Sequence, residues 1–302
     1  MKRHPISLVC AGLLLMGILS GCGGQKAIAL VNTLTFDTGA FQSLRLDYDA
    51  DDIHVLESDH DKVILKEYMN EKQKSYYART SAQNDEMLIT EGNRPGRSSF
   101  ESYIEIYIPQ DYTDSLSLHT SSGTINSEIA LNLSGDFSVD TTSGAVEVSN
   151  VKASKVTITS TNGSLNFKNI NANAINIQTT NAITSMNQAN GAISYQAKGG
   201  KLTASDLSGS GSFNASGEGS IDIAFTEVTG NISAYSKNGA LTMALPHDLA
   251  FKFSATTKEG SIATSFGDKL AVTDNTAAGT VGPSPQIFIE LETRNGNIKV
   301  SR

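Results

Sequence analysis

Cysteine and arginine are scarce in this chain and tryptophan is absent, and the positions of the cysteines and arginines each exclude a kind of site. Of the 302 residues only two are cysteine, Cys10 and Cys22, and none is tryptophan. Because both cysteines precede residue 23, the chain beyond them has no disulfide and no reactive thiol. No arginine lies between Arg97 and Arg294, so no basic patch is present to support nucleic-acid binding.

Charged residues and proline are also infrequent, whereas glycine is abundant. Charged residues make up 18% of the chain, the net charge is −8, and there are 6 prolines against 26 glycines. The apolar residues recur too regularly for a disordered chain. This composition is typical of an all-β repeat protein rich in small polar residues.

A short phrase of small polar residues, glycine and an apolar residue recurs along the chain. It reads TSSGTI at 120–125, TTSGAV at 141–146 and STNGSL at 160–165, and later copies return roughly every 20 residues. A unit at 181–183 lacks its glycine. The predicted turn glycines are Gly123, Gly144, Gly163, Gly200, Gly219, Gly239, Gly260 and Gly296.

The residues around each glycine predict strand, tight turn and strand. An apolar residue follows each glycine at the second position, and apolar pairs at spacing two precede it in most copies. We expect the glycine to supply a positive φ in the turn. A sandwich of hairpins would also fit such strands. The recurrence of one residue type at one phase favours an all-β solenoid, single-stranded and β-helix-like, with coils of about 20 residues.

The sequence predicts four sections. Residues 1–21 are a signal peptide, and 22–28 are a lipidated cysteine and its tether. Residues 29–110 form an irregular β-rich N-terminal section or cap, since an open solenoid end would expose unpaired strand edges. Residues 111–302 form the repetitive solenoid, with an excursion loop at 267–286 that contains Pro283 and Pro285.

The first residues predict secretion and membrane attachment. Lys2 and Arg3 precede an apolar segment at 8–19 that is too short to span a bilayer. The segment ends in LSGC at 19–22, which resembles the bacterial lipobox. The resemblance implies cleavage before Cys22 and a diacylglyceryl thioether on its sulfur. We therefore expect a lipid-anchored protein on the extracytoplasmic face of the cell membrane, or in the outer membrane if the cell has two.

The repeated phrase, together with YIEIYIP at 103–109 and IELETRNGNIKV at 289–300, resembles the bacterial putative-adhesin family, which contains β-repeat domains of unknown function. The resemblance covers most of the chain beyond the signal. It implies an envelope β-repeat protein and supplies no catalytic residues and no cofactor.

Several acidic residues and histidines are candidates for chemistry. Clustered carboxylates could hold Ca²⁺ or cleave an acidic polysaccharide, and His with carboxylates could bind a divalent metal. We interpret all of these residues as solvated surface groups, with no metal site. They are Asp136, Asp140 and Glu147, then Glu218 and Asp222, then His54 and His60, and the separate His119 and His247.

These observations predict a non-catalytic, adhesin-like binding or scaffolding surface without a cofactor. Its expected partners are the membrane, through the lipid on Cys22, and cell-wall or surface glycans or another envelope protein. Two alternatives remain at this point. One is a regulatory or sensing lipoprotein of an envelope-stress pathway, and the other is a polysaccharide-cleaving β-helix enzyme.

Overall fold

The structure, a computed structural model, describes residues 27–96 and 100–302 and confirms the predicted all-β solenoid. Within those ranges the only helical segments are three short 3₁₀ turns, Thr38–Ala40, Lys74–Tyr76 and Gly267–Lys269. No helix in the described part of the chain is long and apolar enough to cross a membrane. The predicted signal peptide and Cys22 lie outside the described residues.

The N-terminal third contains seven strands. They are β1 (Ala29–Asp37), β2 (Ser43–Tyr48), β3 (Asp52–Glu57), β4 (Lys62–Met69), β5 (Arg79–Gln83), β6 (Glu86–Thr90) and β7 (Ser102–Ile108).

The repetitive part continues with ten strands, and six more follow. The ten are β8 (Ser115–Thr120), β9 (Ile125–Ser127), β10 (Leu131–Asn132), β11 (Phe137–Thr141), β12 (Val146–Ser160), β13 (Ser164–Thr179), β14 (Ile183–Ala197), β15 (Lys201–Ala215), β16 (Ser220–Ser236) and β17 (Leu241–Ala244). The last six are β18 (Phe251–Thr257), β19 (Ile262–Thr264), β20 (Leu270–Val272), β21 (Thr276–Val281), β22 (Ile287–Thr293) and β23 (Ile298–Ser301).

Successive copies of the phrase stack in parallel register, and we call each stacked copy a level. Ile125, Val146 and Leu165 lie directly over one another, as the solenoid interpretation requires. All three are fully buried, because alternate side chains of every strand point into the centre of the stack. The segments that directly precede the turns, such as 137–141 and 156–160, form what we call the first face. The segments that directly follow the turns, such as 125–127 and 146–148, form the second face. The long strands β12 to β16 contribute a segment to each.

The sheet continues across the predicted boundary at residue 110. Strand β2 pairs in parallel with β8, so that Leu46 lies over Leu118, and β3 pairs with β9. On their other edges β2 pairs with β6 and β3 with β7. The β2–β3 level therefore lies between β8–β9 and β6–β7, although β6 and β7 come between the other two levels in sequence.

The opposite end of the stack has the same non-sequential order. Strands β22 and β23 pair with β16 and β17 on one edge and with β18 and β19 on the other. The closing strand pair thus forms an internal level. The predicted excursion loop at 267–286 is only partly a loop, because it contains β20 and β21.

Antiparallel strands cover both ends of the stack. At the N-terminal end β5 pairs with β6, β4 pairs with β7, and β1 pairs with β4. At the other end β21 pairs with β18, and β20 pairs with β21. These strands occupy the outer edges of the parallel levels, which would otherwise offer unpaired backbone groups to other chains.

Candidate binding surface

A buried row of hydroxyl groups runs beneath the turns. In the 141–144 turn the Gly144 N–H donates to Thr141 Oγ1 at 2.9 Å, and Gly239 makes the same bond to Ser236 Oγ at 2.8 Å. The Ser236 hydroxyl in turn donates to the Gly219 carbonyl of the neighbouring level at 2.7 Å. The Ser236 hydroxyl thus joins two levels. Both hydroxyls are buried, so they are not available to an outside ligand.

The turn glycines are required for close approach more than for a positive φ. A Cβ on Gly144 would lie 2.0 Å from the Gly123 carbonyl oxygen of the level beneath it. Of the eight predicted turn glycines, only Gly163 and Gly200 have a positive φ, at +108° and +85°. The expected positive φ is therefore wrong for the other six, which are Gly123, Gly144, Gly219, Gly239, Gly260 and Gly296.

A second corner of the coil uses non-glycine residues in the left-handed region, and sequence reasoning missed it. Asn150, Asn169, Gln188 and Asp206 have φ between 55° and 59°, a conformation that Asn and Asp tolerate better than most residues. Asn169 Nδ2 donates to Asn150 Oδ1 at 2.9 Å, which links two of these corners. A polar residue six positions after the turn glycine, or after Ala182 in its place, was the available signal.

Outward side chains on the first face form two continuous polar rows. They occupy the positions between and after the buried apolar pair of each strand, and parallel register aligns them from level to level. The inner row contains Ser117, Ser138, Thr157, Asn176, Ser194, Ser212, Ser233 and Glu290. The outer row contains His119, Asp140, Thr159, Gln178, Gln196, Asn214, Tyr235 and Glu292.

The predicted acidic candidates do not converge on one site. Asp136 directly precedes the first-face strand β11 and Asp140 lies within it, at a separation of roughly 13 Å along the chain, which exceeds the spacing of paired catalytic carboxylates. Glu147 lies past the turn on the second face, where Asp222 also lies, and Glu218 lies in the turn before β16. In the described ranges no group of three or more His, Cys, Asp or Glu residues could hold a metal ion.

The four candidate histidines have separate surroundings. His119 Nδ1 lies 3.1 Å from Asp140 Oδ2, and its Nε2 lies 3.8 Å from an Asp47 oxygen on the neighbouring level. His54 packs edge-on against Tyr103. His60 follows in the bend before β4, and His247 lies beside Asp248 on the surface. The register thus gives His119 two acidic neighbours that its position in the sequence does not suggest.

A buried ion-pair cluster occupies the N-terminal end and was also missed. The Arg94 guanidinium contacts the carboxylates of Asp51 and Glu67, and all three side chains are at most 4% exposed. Arg94 Nε also donates to the Tyr76 carbonyl at 3.1 Å. Burial raises the pKa of the Glu67 carboxyl, against the opposing effect of hydrogen bonds from Ala78 and Asn32. The cluster holds residues 91–96, which follow β6, against Asp51 and Glu67.

A groove of about 520 Å³ crosses several levels of the first face. Its volume falls within the range of small-molecule sites. Five of the inner-row residues lie along it, and Phe288, 38% exposed, forms part of one wall. The lining residues that matter most are Asn176, Ser194, Ser212, Asn231, Phe288 and Glu290.

Comparison with known proteins identifies a family and several solved structures of low sequence identity. The sequence model of the Toastrack DUF4097 family matches residues 41–301. No curated protein matches the chain significantly. A solved structure of a putative adhesin from Bacteroides fragilis NCTC 9343 is 15% identical with a TM-score of 0.42, and the match covers 92% of this chain and 100% of that one.

Two further solved structures are similarly remote. A putative adhesin from Parabacteroides merdae ATCC 43184 is 13% identical with a TM-score of 0.42, covering 92% of this chain and 97% of that one. A putative cell adhesion protein from Clostridium sporogenes ATCC 15579 is 9% identical with a TM-score of 0.27, covering 89% and 97%.

Proposed function

The chain belongs to the Toastrack DUF4097 family, and on that premise we propose that it serves as a non-catalytic, adhesin-like binding surface in a bacterial cell envelope. The two polar rows of the first face carry this proposal. They present hydroxyl and amide groups at intervals of about 4.8 Å along the stack. A ligand with repeated polar groups could bind many of them at once, so that weak contacts add by avidity.

The rigidity of the rows supports the same function. Each first-face strand of the middle levels is paired on both edges with parallel neighbours, and the residues between the polar positions are buried in one continuous core. The side chains of the rows are therefore held at fixed spacing before any ligand arrives. Binding then costs less conformational entropy than it would on mobile loops.

We propose further that the lipid on Cys22 anchors the protein to the membrane on its extracytoplasmic face. The lipobox-like LSGC at 19–22 and the preceding basic and apolar segments support this address. Each buried CH₂ contributes about 0.8 kcal/mol, so two or three acyl chains hold a protein firmly. The short segment between Cys22 and β1 would keep the N-terminal end of the stack near the bilayer.

Binding of envelope polymers tests the main proposal. We expect the purified full chain to be retained by isolated cell walls or by immobilised surface glycans, and we expect the retention to fall when row residues are changed together. A triple change of Ser194, Ser212 and Ser233 to Ala removes three aligned hydroxyls, and Thr203→Ala with Thr242→Ala on the second face is the matched control. Absence of retention for the unaltered chain would contradict the proposal.

Membrane attachment has its own test. In cell fractionation the unaltered chain should sediment with membranes and incorporate labelled palmitate, whereas Cys22→Ser should do neither. A Cys10→Ser change should leave both unchanged, because position 10 lies inside the predicted signal. Membrane sedimentation of Cys22→Ser at the level of the unaltered chain would count against the lipid anchor.

A further inference from the structure

The groove on the first face exists because neighbouring coils differ in length. Stacked partners are 18 residues apart from Ala174 to Ala192 and from Ala192 to Ser210. The coil on one side of these two has one more residue, at 171–174. The coil on the other side has two more residues, at 228–232, because Gly209 pairs with Val228 but Gly211 pairs with Ile232. Two short coils therefore form a floor between two longer coils.

Tight corners keep that floor low. Gly191 and Gly209 have φ of +143° and +134°, and a Cβ on either would lie 2.0 Å from the carbonyl oxygen of the level beneath. Ala174, Ala192 and Ser210 continue the floor with small side chains. The groove is therefore built into the backbone and does not depend on which rotamers its side chains adopt.

The lining combines an exposed aromatic ring with hydroxyl, amide and carboxylate groups. Asn231 Oδ1 accepts the Phe288 N–H at 2.9 Å, which fixes this wall. Asn176, Ser194, Ser212 and Ser233 follow one another along the floor and lead to the exposed carboxylate of Glu290. From Asn176 to Glu290 the row spans about 19 Å.

We propose that this groove binds a linear, neutral polysaccharide along the axis of the stack. The inference rests on the proposed binding function and specifies its site and ligand class. A sugar chain presents apolar ring faces to the Phe288 ring and hydroxyls to the amide, hydroxyl and carboxylate groups. An extended peptide is disfavoured, because it binds through backbone groups of an open strand edge, and the floor strands are already paired on both edges.

The charge of the groove selects against acidic polymers. Among the described residues that line it, Glu290 is the only charged one, and the net charge of the chain is −8. The nearest cation by register, Lys252, lies opposite Phe288 on β18 and does not line the groove. A polyuronate or a phosphate-rich polymer would therefore meet repulsion at Glu290 without a compensating basic group.

Titration calorimetry of the purified full chain tests the proposal with soluble cellulose oligosaccharides, dextran and mannan, and with polygalacturonate as the acidic comparator. Phe288→Ala should weaken binding of the neutral polymer by about fivefold, since one aromatic contact is worth roughly 1 kcal/mol. Ser194→Arg should obstruct the floor and weaken binding at least as much. Ser138→Arg is the matched control, because it places the same side chain in the same row outside the groove.

Each outcome separates the site from the general function. Binding of a neutral polymer that falls in Phe288→Ala and Ser194→Arg but not in Ser138→Arg supports the groove. Binding that survives both groove changes overturns the groove and leaves the proposed function in place. Selective binding of polygalacturonate, or of extended peptides, overturns the ligand class. No binding of the panel, together with no retention by cell walls, overturns both proposals.

Discussion

The middle of the stack and its N-terminal end close the same turn with different chemistry. In the middle, Thr141 and Gly144 occupy equivalent positions to Thr120 and Gly123 one level away. At the β2–β3 level Tyr48 takes the threonine position. Asp51 takes the glycine position, since its carbonyl lies where a Cβ on Gly123 would meet it at 1.9 Å.

The difference follows from what lies on the next level outward. A middle level has another tight turn beneath it, whose carbonyl accepts the hydroxyl and whose closeness demands glycine. Beyond the β2–β3 level the chain leaves β6 through residues 91–96, which bring Arg94 to Asp51. Uncharged hydrogen bonds between hydroxyls and carbonyls hold the turns of the repeat together, whereas a buried ion pair holds the turn at its end. The following predictions test this contrast.

Arg94→Met should have the largest effect. Removal of the guanidinium leaves the buried carboxylates of Asp51 and Glu67 without their cation, and breaking a buried pair costs about 3–5 kcal/mol. Urea denaturation should show this loss in the free energy of unfolding. Arg45→Met is the control, because Arg45 and Asp47 form an exposed pair worth about 0.5 kcal/mol or less. Similar losses for the two variants would contradict the role given to the cluster.

Gly144→Ala should be next, because it tests the close stacking of the middle levels. The added Cβ would lie 2.0 Å from the Gly123 carbonyl, and relief of such overpacking costs about 1–3 kcal/mol. Gly39→Ala is the matched change, since no atom lies within 4 Å of its added Cβ. Thermal unfolding should distinguish them, and equal melting temperatures would show that the carbonyl can move aside.

Thr141→Val should destabilise the chain by about 1–2 kcal/mol. The change keeps the shape of the side chain but removes the acceptor of the Gly144 N–H, which lies in the buried part of the turn. Thr159→Val on the next level removes an exposed hydroxyl and should alter the free energy of unfolding by no more than about 0.5 kcal/mol. Loss of equal size in both would mean that the buried hydroxyl row contributes nothing specific.

Tyr48→Phe should have the smallest effect at neutral pH and a visible one in alkali. The Tyr48 hydroxyl is buried, and no hydrogen-bond partner for it exists among the described residues, so its removal should be close to neutral. Burial raises the pKa of Tyr48 well above its ordinary 10.0. Just above pH 10 the phenol therefore ionises in the unfolded chain but stays neutral in the folded one. The part of the stability that depends on the neutral phenol is fully present below pH 10 and is lost as the pH rises above it.

Denaturation at pH 7 and at about pH 11 measures the alkaline part of that effect. The fall in unfolding free energy between the two should be smaller for Tyr48→Phe than for the unaltered chain. Tyr195→Phe should act in the same direction in the middle of the stack, because burial also raises the pKa of Tyr195. An unchanged alkaline loss in both variants would contradict the assigned direction.

The sequence predicted the middle of the stack well, because the signal there is local. The spacing between each glycine and its apolar neighbours specified strand, turn and strand, and the constant phase from Ile125 to Val146 to Leu165 specified the stacking. The turn glycines were found for the wrong reason in six cases. Their steric requirement comes from a carbonyl on another level, which no local pattern contains.

The spatial order of the ends and the groove could not be predicted in the same way. The β22–β23 pair keeps the residue pattern of an ordinary level, and β2–β3 keeps the apolar alternation of its strands. Nothing in either pair indicates that it lies between levels distant in sequence. The groove results from differences of one or two residues in coil length, at 171–174 and 228–232. Whether such differences in length form a groove depends on which coils are neighbours in space. Arg94 and Asp51 are likewise brought together only by the folded end of the stack.

The internal position of β22 and β23 constrains the order in which the strands of this end can pair. Synthesis delivers β18 and β19 before the two strands that must separate them from β16 and β17. During that interval β18 can form its final pairing with β21 on one edge, but its other edge can pair only provisionally. The final arrangement therefore requires a gap between β18 and β16 to stay open or to reopen for β22. Folding should thus finish with the insertion of β22 between β16 and β18. We expect this rearrangement at one end, and not the addition of successive levels, to be the slowest step.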